Sequence, residues 1–196
     1  IAADECYSEL YLDENRPPLG GLEAAERLGR RGFSRLLVFS SLSKRSNVPG
    51  MRSGLVAGDA RLIKEFLLYR TYHGSAMSAT VQAASTAAWK DEAHVVENRE
   101  IYRAKFQAVG PLISSPLRTI NPEAGFYYWV ETPVSDTQFA RDFLENYNVT
   151  VLPGSYLTRE TPSGNPGINH IRLALVAPLS ECVEAAQRLA NFVKRY

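Results

Sequence analysis

The apolar segment at residues 35–40, RLLVFS, constrains the fold more than any other part of the chain. A nearly continuous apolar run bounded by polar residues predicts a β-strand that is covered on both faces. Residues 1–3 are expected to be the tail of an earlier strand that ends at Asp4, and residues 55–57 a later short strand. Strands that alternate with helices and end in polar loops indicate an α/β fold, in which ligands bind outside the carboxyl ends of the strands.

The stretch that links the first strands, and the middle of the chain, are predicted to be helical. A helix is expected over 22–31, and Gly32 is expected to close it in a left-handed conformation. Apolar residues at helical spacing predict a second helix over 60–72. Helical residues are expected over 78–89 and 93–113, and no strong breaker occurs between Ala79 and Val109, so one long helix or two abutting ones are expected, typical of a connector between domains.

The last third of the chain predicts a compact α+β unit. Ser135 and Gln138 form a capping-box pattern that opens a helix to about Tyr147, with Phe139 and Phe143 on one face. Strands are expected over 125–131, 149–152 and 170–176, before a final helix that begins near Pro178 and Ser180. The inner face of that helix is expected to carry Leu179, Val183, Ala186, Leu189, Ala190 and Val193.

The composition excludes several classes of protein. Of the 196 residues, 45% are apolar and 22% charged, which excludes a disordered or fibrous chain. A net charge of +1 gives no reason to expect nucleic acid or an anionic membrane as a partner. Cys6 and Cys182 lie at opposite ends, so neither a disulfide framework nor a zinc site is expected, and a reducing, cytoplasmic setting is predicted. Because the sequence begins with Ile1 inside an apolar stretch, we expect a piece of something longer.

The loop that follows the buried strand has the composition of a phosphate site. It contains Ser41, Ser43 and Lys44, and Arg52 lies eight positions after the lysine. Hydroxyls donate hydrogen bonds to phosphate oxygens, and an arginine grips two of them at once. A neutral lysine amine can also condense with a carbonyl group. Taken alone, however, the segment is more typical of a solvated polar loop.

A second loop could supply the carboxylate that would complete a ligand site together with Lys44. Asp4 ends the first strand and Tyr7 follows three residues later. An isolated aspartate is usually a helix cap or a turn residue. Asp4 and Lys44, however, would leave neighbouring strands at the same edge of the sheet and could face one ligand. Pyridoxal phosphate (PLP) needs such a set, with a lysine for its aldehyde, a carboxylate for its ring nitrogen and donors for its phosphate.

Arg172 lies within the strand HIRLALV, on the same predicted face as His170 and Ala174. A guanidinium directed inward is costly unless an anion meets it, and a substrate carboxylate would supply that anion. An ordinary exposed arginine on a surface strand is an equally acceptable interpretation. The three histidines, His73, His94 and His170, show no metal-binding spacing.

Together these motifs resemble the C-terminal half of the fold-type I PLP enzymes, the class I and II aminotransferases. DECY resembles the family's aspartate-x-x-tyrosine pattern, and SLSK followed by PGMRSG resembles its lysine loop. GFYYWV, VLPGSY and HIRLALV occur in the family's order. The resemblance covers essentially the whole chain. It implies the C-terminal part of an α/β large PLP-binding domain at 1–75, a long connecting helix or helices at 76–115 and a small α+β domain at 116–196.

The resemblance also implies roles for the candidate residues. Lys44 would hold PLP covalently and move a proton as the general acid and base. Asp4 would keep the pyridine nitrogen protonated, and Tyr7 would hydrogen-bond the 3-oxygen of the ring. The remaining candidates would bind anionic groups. Ser41, Ser43 and Arg52 would bind the phosphate, and Arg172 would bind the α-carboxylate of the substrate.

The implied reaction exchanges an amino group between an amino acid and a 2-oxo acid, with glutamate and 2-oxoglutarate as one pair. Residues 165–188 are most similar to bacterial succinyldiaminopimelate aminotransferases of lysine biosynthesis, which use the N-succinyl-LL-diaminopimelate substrate pair.

The family implies a homodimer with sites shared between subunits. The N-terminal half that supplies further cofactor contacts in the family is absent here, so we expect the piece alone to bind PLP weakly with negligible turnover.

Other functions stay open at this point. Another fold-type I enzyme, such as a C–S lyase or a decarboxylating synthase, uses the same lysine, aspartate and arginines. A transcription regulator can carry an aminotransferase-like effector domain behind a DNA-binding domain, although the near-neutral charge argues against DNA contact by this piece. The remaining alternative is an α/β fragment that binds no cofactor.

Overall fold

The computed structural model describes residues 1–74 and 76–196 of the chain. These residues form two compact units, Ile1–Arg99 and Glu100–Tyr196. Ser75, where the first predicted domain ends, lies outside the described residues. None of the helices in the described residues is both long and apolar enough to span a membrane.

The first unit is built on a three-stranded sheet in the order β1-β2-β3. Strand β1 (Ala2–Asp4) pairs in parallel with β2 (Leu37–Ser41), and β3 (Gly54–Gly58) pairs with β2 in the antiparallel direction. The strand that was predicted to be covered on both faces is less enclosed than expected. Val38 is buried, but Leu37 and Phe39 are only half-buried.

Five helices belong to or begin in this unit, within the part of the chain that the structure describes. They are α1 (Gly21–Arg27), α2 (Leu42–Arg45), α3 (Ala60–Tyr72), α4 (Ala79–Lys90) and α5 (Ala93–Ser114). Helix α1 packs Ala25 against Leu36 and Val38 of the sheet region, which forms a small apolar core. The predicted α/β class is therefore confirmed for this unit.

Helix α1 ends four residues before the predicted end, because an earlier glycine closes it. Gly29 has φ +69 and donates its N–H to the carbonyl of Glu26, while Arg30 donates to the carbonyl of Ala25. These two hydrogen bonds form the Schellman motif that ends many helices at a left-handed glycine. Gly32 is also left-handed, with φ +75, but it lies in a separate turn, so its predicted role as the C-cap was wrong.

The helical stretch after residue 78 is divided into two helices. Asp91 and Glu92 separate α4 from α5, and the carboxylate of Asp91 accepts a hydrogen bond from the backbone N–H of Ala93 at 2.9 Å. Of the two arrangements left open by the sequence, abutting helices are the observed one. The break exposes the last carbonyls of α4, which need partners outside the helix.

The second unit packs two helices against a second three-stranded sheet. Strands β4 (Tyr127–Glu131), β5 (Leu152–Pro153) and β6 (His170–Ala174) are antiparallel in the order β4-β6-β5. Helices α6 (Asp136–Tyr147) and α7 (Leu179–Val193) complete the unit. Its core contains Phe139, Phe143, Ile171, Leu189 and Phe192, each at most 1% exposed.

Three details of the second unit differ from the sequence prediction. The strand predicted over 149–152 is observed as Leu152–Pro153. Helix α6 begins after Ser135 as predicted, but the Ser135 side chain makes no capping bond to the backbone and lies 3.0 Å from the Thr137 hydroxyl instead. The inner face of α7 is rotated from the predicted one. Leu179 is 43% exposed, whereas Cys182 and Phe192 are buried beside Ala186 and Leu189.

Candidate active site

The lysine and the aspartate of the candidate site follow two parallel strands. Asp4 is the last residue of β1 and is in register with Phe39 of β2. Lys44 lies in α2, which begins directly after β2 ends at Ser41. Because β1 and β2 are parallel, their carboxyl ends lie at the same edge of the sheet, where ligands bind in α/β folds. The chain therefore brings both residues to one edge.

Tyr7 joins this edge through the turn after β1. The Nζ atom of Lys44 lies 5.8 Å from the centroid of the Tyr7 ring. Glu5 continues the strand pairing by donating its N–H to the carbonyl of Phe39 at 2.8 Å, and Ser8 donates to the carbonyl of Glu5 at 3.1 Å. These backbone bonds fix the turn in which Tyr7 is presented beside the lysine.

The carboxyl group of Asp4 is held in its charged form by Cys6. Hydrogen bonding from Cys6, through its side chain and through its backbone N–H at 3.1 Å, lowers the pKa of Asp4 below its ordinary value of 3.8. Burial raises the pKa of the Cys6 thiol to about 11, with a further contribution from Asp4. Near neutral pH this corner therefore holds a carboxylate beside a neutral thiol. The Asp4 carboxylate is exposed, and a carboxylate is the group that pairs with a protonated ring nitrogen.

The hydroxyl groups of the loop form a small cluster. Ser41 Oγ accepts a hydrogen bond from the backbone N–H of Ser43 at 3.1 Å and lies 2.8 Å from Ser43 Oγ. Ser41 Oγ also lies 3.0 Å from the carbonyl oxygen of Ser53. Ser41 is paired with Gly54 across the β2–β3 ladder, which places the residues around 53 beside the start of α2.

Arg52 lies just before this pairing and is exposed to solvent. It adopts a left-handed backbone conformation, with φ +53, and one guanidinium nitrogen donates to the carbonyl of Pro49 at 2.7 Å. Two hydroxyl groups at the start of the loop and an arginine at its end, next to the Ser41–Gly54 pair, fit a phosphate group, because they supply donors and positive charge. The residues present therefore fit the anionic end of PLP.

Arg172 belongs to the second unit, on strand β6. Ile171 and Leu173 are buried on one face of the strand, and Arg172 is half-buried on the other, so the predicted alternation is observed. Its guanidinium carbon lies 5.7 Å from the centroid of the Tyr127 ring. The Nε atom is buried and has no hydrogen-bond partner among the described residues. A buried donor without a partner is costly, and a carboxylate would satisfy it.

Sequence reasoning missed the residues that support the lysine loop. Arg45, directly after Lys44, is 4% exposed, and Ser53, directly after Arg52, is 3% exposed. Their partners lie 32 to 47 residues later in the chain, in and just beyond helix α4. A charged residue and a serine in a polar loop carry no signal of burial, so only the folded chain reveals these contacts.

The histidines take part in contacts other than metal binding. His73 stacks on Tyr69 at 4.6 Å, and His170 stacks on Trp129 at 5.6 Å. His94 lies 2.8 Å from the Ser46 hydroxyl. Among the residues that the structure describes, no group of three or more His, Cys, Asp or Glu side chains is arranged to hold a metal ion.

Comparison with known proteins assigns the family. The sequence profile of the family "Aminotransferase class I and II" matches residues 1–189. The chain is 34% identical over 190 residues to 4-dedimethylamino-4-oxo-anhydrotetracycline transaminase OxyQ of Streptomyces rimosus, covering 96% of this chain and 50% of the relative. It is 31% identical over 196 residues to LL-diaminopimelate aminotransferase of Nitratidesulfovibrio vulgaris (strain DSM 19637 / Miyazaki F), covering 97% and 48%.

A solved structure supports the same assignment. An aminotransferase from Neisseria meningitidis Z2491 matches with a TM-score of 0.92 and 53% identity, over 98% of this chain and 49% of that protein. The chain thus spans about half the length of the relatives it matches. Its fold is that of the fold-type I enzymes, as the sequence motifs implied. The chain belongs to the class I and II aminotransferase family, whose members depend on PLP.

Proposed function

We propose that the protein to which this chain belongs is a PLP-dependent aminotransferase that uses Lys44 as its reactive amine. The observation that carries the proposal is the position of Lys44 Nζ, 5.8 Å from the Tyr7 ring centroid, at the sheet edge where Asp4 ends the neighbouring strand. A lysine, a tyrosine and a carboxylate at one strand edge match the requirements of one PLP molecule. The family of the chain supports this proposal.

The side chains of the first unit would divide the work among three parts of the cofactor. PLP supplies an aldehyde and an electron-withdrawing ring when it is bound. The amine of Lys44 would bind the aldehyde carbon and later move a proton to and from the substrate α-carbon. The Asp4 carboxylate would hold a proton on the ring nitrogen, and the Tyr7 hydroxyl would hydrogen-bond the ring oxygen.

The anionic groups would be bound by the remaining candidates. Ser41, Ser43 and Arg52 would hold the phosphate through hydroxyl and guanidinium donors. Arg172 would bind the substrate α-carboxylate, since the buried Nε on this strand lacks a partner among the described residues. A guanidinium that grips a carboxylate at two points fixes the direction of the α-carbon and so favours proton transfer at one face.

For the substrate we propose the N-succinyl-LL-diaminopimelate and 2-oxoglutarate pair of lysine biosynthesis, on the likeness of residues 165–188. A relative named LL-diaminopimelate aminotransferase supports a diaminopimelate-type substrate, whereas OxyQ, at similar identity, is named for a tetracycline intermediate. The proposal also includes three domains of the chain, at 1–75, 76–115 and 116–196. It further includes a homodimeric protein in a cytoplasmic setting.

The proposal is tested by locating the reactive lysine. The full-length protein is incubated with PLP and reduced with sodium borohydride, and its peptides are mapped. We expect the phosphopyridoxyl label on Lys44, and we expect Lys44→Ala to lower kcat by at least about 10²-fold, the lower end for loss of a general acid and base. Lys64, an exposed lysine of α3 in the same unit, gives the matched control Lys64→Ala, with kcat within about twofold of wild type.

Two results would contradict the proposal. A label on a lysine other than Lys44 would remove the assigned amine. Release of a 2-oxo acid and ammonia from the amino acid, without transfer of nitrogen to 2-oxoglutarate, would indicate a lyase instead. For the substrate, kcat/KM with N-succinyl-LL-diaminopimelate should exceed that with unmodified LL-diaminopimelate, and the reverse order would overturn the succinylated substrate alone.

A further inference from the structure

Arg45, the residue directly after Lys44, is one of the most enclosed charged side chains in the described residues. Its side chain is 4% exposed. One guanidinium nitrogen donates to the carbonyl of Ala88 at 2.9 Å, and another is paired with the carboxylate of Glu92. The guanidinium carbon lies 5.2 Å from the centroid of the Trp89 ring. Arg45 is therefore bound on three sides by the end of α4 and the residues that follow it.

Each of these contacts has a physical reason in the end of helix α4. The last carbonyls of a helix have no partner within it, and cations are favoured beside them. Ala88 lies in the last turn of α4, so its carbonyl has no N–H partner within the helix and accepts a hydrogen bond from Arg45 instead. The planar guanidinium can donate to this carbonyl and to Glu92 at the same time, which an ammonium group cannot do in the same fixed geometry.

Helices α4 and α5 also bind other residues of the segment that contains Lys44. Three further contacts join these helices to the segment. They are Ser46 Oγ to His94 Nε2 at 2.8 Å, Asn47 Nδ2 to Asn98 Oδ1 at 2.7 Å, and Ser53 Oγ to Ser85 Oγ at 2.5 Å. The segment from Ser41 to Ser53 is thus held at residues 45–47 and again at Ser53. This segment carries Lys44 and Arg52.

Helix α2 cannot hold this position by itself. It has four residues, fewer than a helix needs to be stable alone in water. Successive residues of a helix are about 100° apart around its axis. With Arg45 fixed against α4, the side chain of Lys44 leaves α2 in a different direction, in which its Nζ lies 5.8 Å from the Tyr7 ring.

We propose that Arg45 is a positioning residue for the reaction, because it anchors α2 to the end of α4 and so sets where the Lys44 amine lies. The proposal rests on the proposed function, in which Lys44 is the reactive amine. The rate of proton transfer falls steeply when the acting group is misplaced. Loss of the anchor should therefore lower kcat and leave KM nearly unchanged.

The test uses the full-length holoenzyme with Arg45→Met and Arg45→Lys. We expect Arg45→Met to lower kcat about tenfold, with KM for the amino donor within about twofold, because a displacement of about 1 Å can cost up to about 100-fold. The pH midpoint of the visible absorbance of lysine-bound PLP should also shift, since the surroundings of the Lys44 amine change. Arg45→Lys keeps the charge and one hydrogen bond, so kcat should recover to within about threefold of wild type.

Arg99 supplies a control matched in burial and in type of contact. Its side chain is 6% exposed and it pairs with Glu14 at 2.8 Å and Glu9 at 3.3 Å, none of them in the Ser41–Ser53 segment. Arg99→Met should lower the thermal unfolding midpoint about as much as Arg45→Met. Its kcat per mole of folded holoenzyme, however, should stay within about twofold of wild type, and the pH midpoint should not move.

The outcomes separate the two proposals. Wild-type kcat and an unshifted pH midpoint in Arg45→Met, while borohydride still labels Lys44, would overturn the positioning role alone. A wild-type protein that is labelled elsewhere would overturn both. If Arg45→Met does not fold, Glu92→Gln removes one charge at a residue whose side chain is 70% exposed. We expect Glu92→Gln to lower kcat about threefold and to shift the pH midpoint, because it weakens the pairing with Arg45. A wild-type kcat with an unshifted pH midpoint in Glu92→Gln would then overturn the role of the anchor.

Discussion

The two units of the chain bury different kinds of side chain. In the described residues, the aromatic side chains with less than 2% exposure all lie in the second unit: Tyr128, Phe139, Phe143 and Phe192. The first unit buries a larger set of polar and charged residues instead. That set contains Arg45, Ser53, Asp59, Ser85, Asn98 and Arg99. The first unit therefore depends more on specific pairing, and the second more on close packing.

This difference matches what each unit has to provide. Apolar packing is favourable in many orientations, whereas a hydrogen bond or ion pair fixes the direction of the groups that make it. The segment with Lys44 and Arg52 is held by contacts such as Ser53 to Ser85 and Arg45 to Glu92. A polar network that is fully satisfied rigidifies its surroundings, and one that loses a member leaves a costly buried group. The comparison predicts different costs for similar substitutions in the two units.

The largest effect is expected for an aromatic side chain of the second unit. Phe192 is 1% exposed, and its ring lies 4.9 Å from Phe139 and 5.1 Å from Phe143 by ring centroids. Phe192→Ala should lower the free energy of unfolding by about 3–5 kcal/mol, because it removes apolar contacts and leaves a cavity. The value is measured by denaturant unfolding of the full-length protein, with a fluorescence probe in each unit.

The matching substitution in the first unit is Phe66→Ala. Phe66 is half-buried and makes an edge contact with Phe39, with ring centroids 6.4 Å apart. Phe66→Ala should cost less than about half as much as Phe192→Ala, since less apolar area leaves water contact. Equal losses of unfolding free energy in the two variants would contradict the inference that the second unit depends more on close packing than the first.

A smaller effect is expected for a buried carboxylate of the second unit. Asp136 is 3% exposed and accepts hydrogen bonds from Ser155 N at 2.9 Å, Ser155 Oγ at 2.6 Å and Asn169 N at 3.4 Å. Burial opposes the charge, but these hydrogen bonds outweigh it and keep the pKa of Asp136 below its ordinary value of 3.8. Asp136→Asn should cost about 1–3 kcal/mol at pH 7, because an amide cannot accept all three bonds.

The pH dependence of that loss has a definite sign. A carboxyl group whose pKa is lower in the folded state stabilises the fold above its ordinary pKa, and the contribution disappears as the pH falls through the folded pKa. The difference in unfolding free energy between wild type and Asp136→Asn should therefore be full at neutral pH and shrink below about pH 4. Unfolding curves at a series of pH values measure it. A difference that grows on acidification would contradict the assignment.

Asp59 offers the same chemistry in the first unit. It is 4% exposed and accepts from the backbone N–H groups of Arg35 at 2.8 Å and Arg61 at 2.9 Å, and these bonds lower its pKa. Asp59→Asn should show a pH dependence of the same sign. Agreement between the two variants would sharpen the comparison, because it would show that the units differ in aromatic packing and not in their use of buried carboxylates.

Much of this fold is predictable from local sequence patterns. Helix α3 is observed over Ala60–Tyr72, the predicted range, because apolar residues recur at helical spacing and Asp59 caps the start. Errors arose where several local signals competed. Two glycines, Gly29 and Gly32, could each end α1, and the backbone hydrogen bonds select the earlier one. In α7, Leu179 is the first residue of the helix and is exposed, whereas Phe192 near its end is buried, so periodicity alone did not identify the inward residue at either end.

The candidate site is predictable only in part. The sequence predicts that Asp4, Tyr7 and Lys44 lie near one another, because two parallel strands place their carboxyl ends at one edge of the sheet. The position of Arg45 could not be predicted, since its partners Ala88 and Glu92 are 43 and 47 residues away in the chain. Contacts of that range depend on how α4 ends and where α5 begins, and no local pattern specifies them. The residues that support a reactive side chain are therefore harder to predict than the side chain itself.

The smallest expected effect compares two i,i+4 ion pairs, one in each unit. In α1, Glu23 and Arg27 pair at 2.6 Å with both side chains more than half exposed. In α7, Glu184 pairs with Arg188, and Arg188 also donates to the carbonyl of Tyr147 at the end of α6 at 2.9 Å. Arg27→Gln should cost at most about 0.5 kcal/mol, the usual range for an exposed helical pair.

Arg188→Gln should cost more, about 1 kcal/mol, because it also removes a bond that joins two helices at an unpaired carbonyl. Denaturant unfolding with and without 1 M salt, at which charges are screened beyond about 3 Å, separates the two parts of the effect. Salt should abolish most of the Arg27 effect and leave part of the Arg188 effect. If both effects disappear in salt, the carbonyl contact contributes nothing, and pairing would then stabilise the second unit no more than an exposed surface pair stabilises the first.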